Sequence, residues 1–175
     1  MSYRPITDVW ILARSKVPYY GAYPAGFLHR ARNLLGVGLA GAVLHVCGGR
    51  VRDYPYKGLG RNDKTLDLDP ECKPDFLQDC RNELPLNGDK LWDAVLIDRP
   101  YTEGDAAKYV PGADKFPDIN DLLKRALLVV PEGGRVGVLD YMWPHAGKLG
   151  LEVAVIAVGT GRNNRCRWYT VWERV

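Results

Sequence analysis

The run Leu91-Trp-Asp-Ala-Val-Leu-Ile-Asp98-Arg99-Pro100-Tyr101 sets a carboxylate, a φ-restricting proline and an aromatic ring directly after an apolar stretch. With that stretch as a buried strand, the three groups share one strand tip. An amino nitrogen on an aromatic ring is a poor nucleophile, because its lone pair is delocalised into the ring. The Asp98 carboxylate and a backbone carbonyl of the following turn accept its two N–H bonds and localise that lone pair. Tyr101 stacks on the face of a base taken out of its helix. Methyl transfer to nitrogen is the reaction that suits this arrangement. The same four residues also make an ordinary turn, with Pro100 fixing φ and Asp98 bonding the local backbone, so the rest of the chain has to decide.

Other chemistries find less support. Cys47, Cys72, Cys80 and Cys166 are irregularly spaced without a Cys-x-x-Cys pair, and the three histidines are scattered. Neither a zinc site nor a disulfide framework is indicated, and reduced, partly buried thiols are expected. No Gly-x-Gly-x-x-Gly leads into a helix, no Walker-type phosphate loop is present, and no Gly-x-Ser-x-Gly elbow accompanies His29 or His145. Tyr141-Met-Trp143-Pro144 follows a strand and is expected at the same sheet edge as Asp98, where an aromatic side chain either sandwiches a base or packs. Residues 101–109 are polar and contain Gly104, which suits either a flap over a substrate or a loop leading to a short helix.

A chain of 175 residues suits one domain with a sizeable core. The apolar fraction of 46% and charged fraction of 26% are those of ordinary globular proteins. No apolar run is long enough to span a bilayer and no signal-peptide pattern opens the chain, so a cytoplasmic protein is expected. The net charge of +3 is mild. Arg50, Arg52, Lys57, Arg61 and Lys64 cluster with Tyr54 and Tyr56, and Arg162, Arg165 and Arg167 cluster with Trp168. Such clusters contact phosphate in some proteins and are simply solvated in others.

Short β-rich apolar runs alternating with loops and helical stretches predict an α/β sheet, mostly parallel. Strands are expected at Val9–Ala13, Ala42–Val46, Thr65–Asp67, Trp92–Ile97, Arg135–Leu139, Leu151–Val158 and Arg167–Trp172. Helices are expected over Ala25–Leu35, stopped by Gly36, and from Asp118 as N-cap to just before Pro131. The last two strands flank Gly159-Thr-Gly-Arg-Asn-Asn164, and strands joined so tightly run antiparallel. Pro55, Gly58 and Gly60 argue against a long helix after Gly49.

With these features together, most of the chain resembles the class I S-adenosylmethionine-dependent methyltransferases, and among them the amino-methyltransferases that modify adenine N6 or cytosine N4 in nucleic acid. The resemblance implies a Rossmann-like α/β fold with helices on both faces of a mostly parallel sheet and a C-terminal antiparallel β-hairpin. Residues 42–175 would be the cofactor-binding and catalytic core of a single domain, 1–41 its N-terminal extension. Ala42-Val-Leu-His45-Val-Cys47-Gly48-Gly49 is similar to the family's glycine loop, where missing side chains let the backbone approach the cofactor. Asp67, with Asp69 second, matches the acid that holds the cofactor ribose, and alternation is expected to bury Leu66 and Leu68. Asp79 matches the acid that reaches the adenine, and Tyr20-Gly21 an aromatic-glycine element beside the methionine end. Asp98, Arg99, Pro100 and Tyr101 match the catalytic Asp-Pro-Pro-Tyr.

Two departures stand out. His45 occupies the place of a common acid, and Cys47 that of a glycine. Arg99 replaces a proline, which keeps the backbone carbonyl but loosens the turn; it is expected either to pair with Glu103, Asp105 or a substrate phosphate or to make a purely structural salt bridge. The resemblance implies S-adenosylmethionine as cofactor, no metal, and DNA adenine as substrate, with RNA, a protein amide, a small-molecule amine or a non-catalytic binding role as alternatives. In so short a chain, target specificity is expected to be relaxed, to be supplied by a partner subunit or a second copy, or to be built from the basic loop at residues 50–64.

Overall fold

Short, wholly apolar runs build the centre of the sheet, because a strand covered on both faces has no polar side to present. In the computed structural model, which describes residues 4–13, 22–53, 58–109, 116–160 and 166–175, β2 (Val43–Val46) and β5 (Ala94–Ile97) are buried at every position. Around them lie β1 (Ile6–Leu12), β3 (Lys64–Asp67), β4 (Phe76–Leu77), β6 (Arg135–Asp140), β7 (Gly150–Thr160) and β8 (Cys166–Arg174). The sheet order is β1-β7-β8-β6-β5-β2-β3-β4. β8 runs antiparallel to both its neighbours, β6 and β7, and every other pairing among the described residues is parallel.

Among the described residues, three α-helices accompany the sheet: α1 (Phe27–Leu35), α2 (Glu103–Tyr109) and α3 (Ile119–Leu128). Strand alternation divides the core into two layers. Val43, Ala94, Leu96 and Leu139 face the apolar stripe of α1, while Leu44, Val46, Val95, Ile97, Val136 and Val138 face that of α3. Gly36 ends α1 with φ 73°, its N–H returning to Arg32 and Asn33. Asp118 caps α3 by accepting from the N–H groups of Asn120 and Asp121 at 2.9 and 3.0 Å. Gly137 is fixed by close approach, since a Cβ there would lie 2.5 Å from the hydroxyl of Tyr169.

The expected α/β class, parallel centre and terminal hairpin are all present, and among the described residues between Gly49 and β3 the helical structure is a short 3-10 turn at Val51–Asp53. The differences have local causes. β1 starts at Ile6, earlier than expected, because its backbone pairs along β7 from Ile6↔Ala154 to Leu12↔Thr160 while only Trp10 and Leu12 turn into the α1 layer. Leu68 is 43% exposed because β3 ends at Asp67 and alternation no longer applies. β4 spans two residues, too short to leave a periodic signal. Within the 101–109 stretch a bend leads into the short helix α2, one of the two expectations for it, and Thr102 closes the start of that helix, accepting from Asp105 N at 3.1 Å and donating to its carboxylate at 2.9 Å. Among the described residues, no helix is long and apolar enough to cross a membrane.

Candidate active site

The chain leaves β2 for β3 and β4 on one side and adds β5 and β6 on the other, so the connections diverge between β2 and β5. At such a divergence the carboxyl ends of the strands open a crevice, where ligands of open α/β sheets bind. Asp98 stands there, at the end of β5, and its N–H donates to the Val46 carbonyl at 3.2 Å, drawing the turn after β5 against the tip of β2.

Asp98 is partly buried, and that burial pushes its carboxyl up to about 7. The Arg167 cation and a hydrogen bond from Tyr101 act the other way, and the Asp140 charge adds to the rise. The Tyr101 hydroxyl donates to Asp98 Oδ1 at 2.5 Å and accepts from Arg167 Nη1 at 3.0 Å. Burial first, then the Asp98 charge, holds the Tyr101 phenol well above its ordinary range. The Tyr141 ring meets that of Tyr101 edge-on at 4.6 Å, and Trp143 and Trp168 lie 5.3 Å apart, so aromatic surface does gather at this edge.

Arg99 pairs with neither Glu103 nor Asp105 and makes a structural salt bridge instead. Its Nε donates to Asp140 Oδ2 at 2.8 Å and its Nη1 to the Pro117 carbonyl at 2.8 Å, with side-chain exposures of 1% and 0% for the ion pair. Asp105 is engaged by Thr102 instead. A buried cation seeks the most buried carboxylate within reach, and β6 supplies it.

The cofactor candidates fall into two groups. Cys47, Gly48 and Gly49 form the loop after β2, with φ of 55° at Cys47 and 50° at Gly49. Gly49 N donates to Asp67 Oδ2 at 2.8 Å and Asp69 N donates to Asp67 Oδ1 at 3.0 Å, so one carboxylate gathers the loops after β2 and β3. Burial raises the Asp67 carboxyl, and no cation pairs with it among the described residues. The remaining candidates are spent on protein partners. His45 Nε2 lies 3.1 Å from Asp63 in a buried cluster with Arg32. Asp69 caps the next turn through Glu71 N at 2.9 Å. Asp79 is held by Arg81, through the backbone N–H and through Nε, each at 2.8 Å, and that cation lowers its carboxyl. Tyr20 and Gly21 lie outside the described residues.

The basic clusters are partly turned inward. Arg52 and Lys64 converge on Asp75, Arg167 serves Tyr101, and Lys57, Arg162 and Arg165 lie outside the described residues. Sequence reasoning missed Asp140, Asp63 and the link from Arg167 to Tyr101, since none of these sits in a motif. Pairing of β6 with β8, which sets Asp140 opposite Trp168, was the one available signal that the start of the last strand belongs at this edge. No cluster of metal-ligating side chains occurs among the described residues.

No family model matches the sequence, and no curated protein matches it. Solved structures do share the fold. TrmN from Thermus thermophilus superposes with a TM-score of 0.60 at 19% identity over 85% of this chain, which spans 48% of that protein's length. The 1,6-didemethyltoxoflavin-N1-methyltransferase of Burkholderia thailandensis, with bound 1,6-didemethyltoxoflavin and S-adenosylhomocysteine, gives 0.56 at 14% identity, over 85% of this chain and 78% of its own. An rRNA methylase from Streptococcus thermophilus gives 0.50 at 12%, over 88% and 99%. The architecture of this chain is thus the Rossmann-like fold of the class I S-adenosylmethionine-dependent methyltransferases.

Proposed function

We propose that the chain transfers a methyl group from S-adenosylmethionine to an exocyclic amino nitrogen of a nucleic-acid base. The observation that carries this is the seat of Asp98, a partly buried carboxylate pinned by its N–H to the tip of β2, beside the glycine loop and inside an aromatic surround. A carboxylate there accepts a substrate N–H, and the carbonyl of the following turn accepts the second. Tyr101 and Tyr141 offer ring faces and edges to a planar base. Catalysis on this reading is positioning plus hydrogen-bond acceptance, with no covalent intermediate.

The cofactor assignment rests on Asp67, a partly buried carboxylate without a cationic partner among the described residues, whose acceptor oxygens suit vicinal ribose hydroxyls, and on the Gly48-Gly49 loop that it holds. When bound, S-adenosylmethionine supplies an electrophilic methyl group. Asp79 joins the site as the acid nearest an adenine ring. Adenine N6 of DNA is the first substrate to test, and RNA the second, since one structural neighbour is an rRNA methylase. A second copy or a partner subunit supplies target recognition.

Calorimetric titration with S-adenosylmethionine, on the wild type and on Asp67→Ala, tests the cofactor site. Transfer of labelled methyl to DNA and RNA, with Asp98→Ala as control, tests the reaction. Asp98→Ala should bind the cofactor and lose on the order of a hundredfold or more in transfer rate. A wild type that neither binds S-adenosylmethionine nor transfers methyl to either polymer overturns the proposal.

A further inference from the structure

Two thiols meet beneath the candidate cofactor loop and have no part in the proposed reaction. Cys47 opens the loop after β2, and Cys80 follows Asp79, 33 positions later; their sulfurs lie 3.6 Å apart. Cys80 is buried, at 6% exposure, while Cys47 is partly exposed. Cys47 holds φ 55°, the left-handed region that disfavours any side chain and suits glycine. Cys47 thus combines a backbone conformation that favours glycine with a side chain in contact with Cys80.

We propose that Cys47 and Cys80 are a dithiol modification site, closed to a disulfide by hydroperoxides, and that closure displaces the cofactor loop. The displacement rests on the cofactor assignment above; the disulfide does not. Cys47, the less buried residue of the two, attacks the terminal peroxide oxygen. The O–O bond breaks, an alcohol leaves (water in the case of hydrogen peroxide), and Cys47 becomes a sulfenic acid. The Cys80 sulfur then displaces that hydroxyl, which departs as water with the Cys80 proton. Two thiol hydrogens and two electrons pass to the peroxide, and one S–S bond forms. Contact with Cys80 and burial hold the Cys47 thiol well above its ordinary range, so little thiolate forms near neutrality and the attack is slow.

Closure shortens the sulfur separation from 3.6 Å to about 2.05 Å. The Cys80 side is anchored, because Asp79 is clamped by Arg81 and accepts from Asn82 N at 3.0 Å. The Cys47 side carries the shift, and its loop is held by Gly48 N to Leu66 O at 3.3 Å, Val51 N to Gly48 O at 3.1 Å and Gly49 N to Asp67 at 2.8 Å. Moving Gly49 away from Asp67 disperses the two loops that the carboxylate gathers.

The test uses a Cys72→Ser/Cys166→Ser chain, which retains only this pair, treated with hydrogen peroxide, alkylated and weighed intact. S-adenosylmethionine is then titrated into the reduced, oxidised and dithiothreitol-recovered forms. The expected result is an intramolecular disulfide, an affinity on the order of tenfold weaker after oxidation, full recovery on reduction, and neither effect in Cys80→Ala or Cys80→Ser. Failure of the disulfide to form, or its formation without change in affinity, overturns the inference while leaving the cofactor site intact. A reduced protein that does not bind S-adenosylmethionine overturns the cofactor assignment and the loop displacement with it, while the mass alone still decides the disulfide.

Discussion

Arg167 Nη1 lies 3.0 Å from the hydroxyl of Tyr101, 66 positions earlier in the chain, so the start of β8 is wired to the turn after β5. That hydroxyl in turn donates to Asp98, and the guanidinium is the largest influence opposing the burial of the carboxylate. Replacing Arg167 by Met removes a cation without changing β8. Asp98 then ionises at higher pH than its present value of about 7. The rising limb of the pH–rate profile for methyl transfer should sit near neutrality in the wild type and move to the alkaline side in Arg167→Met. Tyr101→Phe, which loses the hydrogen bond and keeps the ring, should move it the same way. Superimposable profiles would show that Arg167 does not act on Asp98.

Asp98 also makes stability depend on pH. Its folded value lies above its ordinary 3.8, so the folded state holds the proton more tightly than the unfolded chain does. The stabilisation is fully present below about pH 4 and is lost as pH rises through about 7. Asp98→Asn, which cannot ionise, escapes that loss. Urea unfolding at pH 5 and pH 8 should show the variant gaining on the wild type at the higher pH, and a constant difference between the two would refute the assignment.

Asp63 has the opposite sign. Burial works to raise its carboxyl, yet hydrogen bonds from His45, Gly60 and Arg32 outweigh it and hold the group below its ordinary range. The carboxylate binds Arg32 Nη1 at 2.7 Å, Gly60 N at 2.7 Å and Val43 N at 3.1 Å, tying α1 to β2 and to the loop before β3. Its contribution is present above the ordinary value and lost as pH falls through the lowered one. Asp63→Asn should cost roughly 3–5 kcal/mol near neutrality, where it leaves Arg32 buried beside a neutral amide. The penalty should shrink on acidification below about pH 4, as read from denaturant unfolding across pH.

What the sequence revealed and what it hid divide along sequence separation. Val43–Val46, Ala94–Ile97 and the stripe of α3 are local apolar patterns, and Gly36 and Asp118 are local stop and cap signals, so each was legible where it stood. The hairpin was legible because a short turn leaves two strands no choice of direction. Asp63 and Asp140 are single acids in a chain with many, and nothing near them in sequence marks the cation each one meets. Arg99 illustrates the limit: its motif position was evident, but its partner was sought among Glu103 and Asp105, its sequence neighbours, when β6 presents Asp140 across the sheet.

The pair of Arg99 and Asp140 allows stability and positioning to be separated. Both side chains are buried, and Arg99 also donates to the Pro117 carbonyl just ahead of the Asp118 cap, so one guanidinium joins the turn after β5, the end of β6 and the start of α3. Asp140→Asn leaves that cation without a counter-charge and should cost roughly 3–5 kcal/mol, measured by urea unfolding. The double variant Arg99→Met/Asp140→Leu removes both charges and should recover most of the loss, because desolvating an ion pair consumes much of what its attraction returns. Methyl transfer should behave differently. Asp98 is adjacent to Arg99, and a methionine fills the space without holding Pro117, so the turn that presents the Asp98 carboxylate is no longer fixed from behind. The double variant should unfold near the wild-type urea midpoint, bind S-adenosylmethionine as the wild type does, and still transfer methyl on the order of tenfold or more slowly. Recovery of activity in step with stability would show that the guanidinium only holds the fold together and does not aim Asp98.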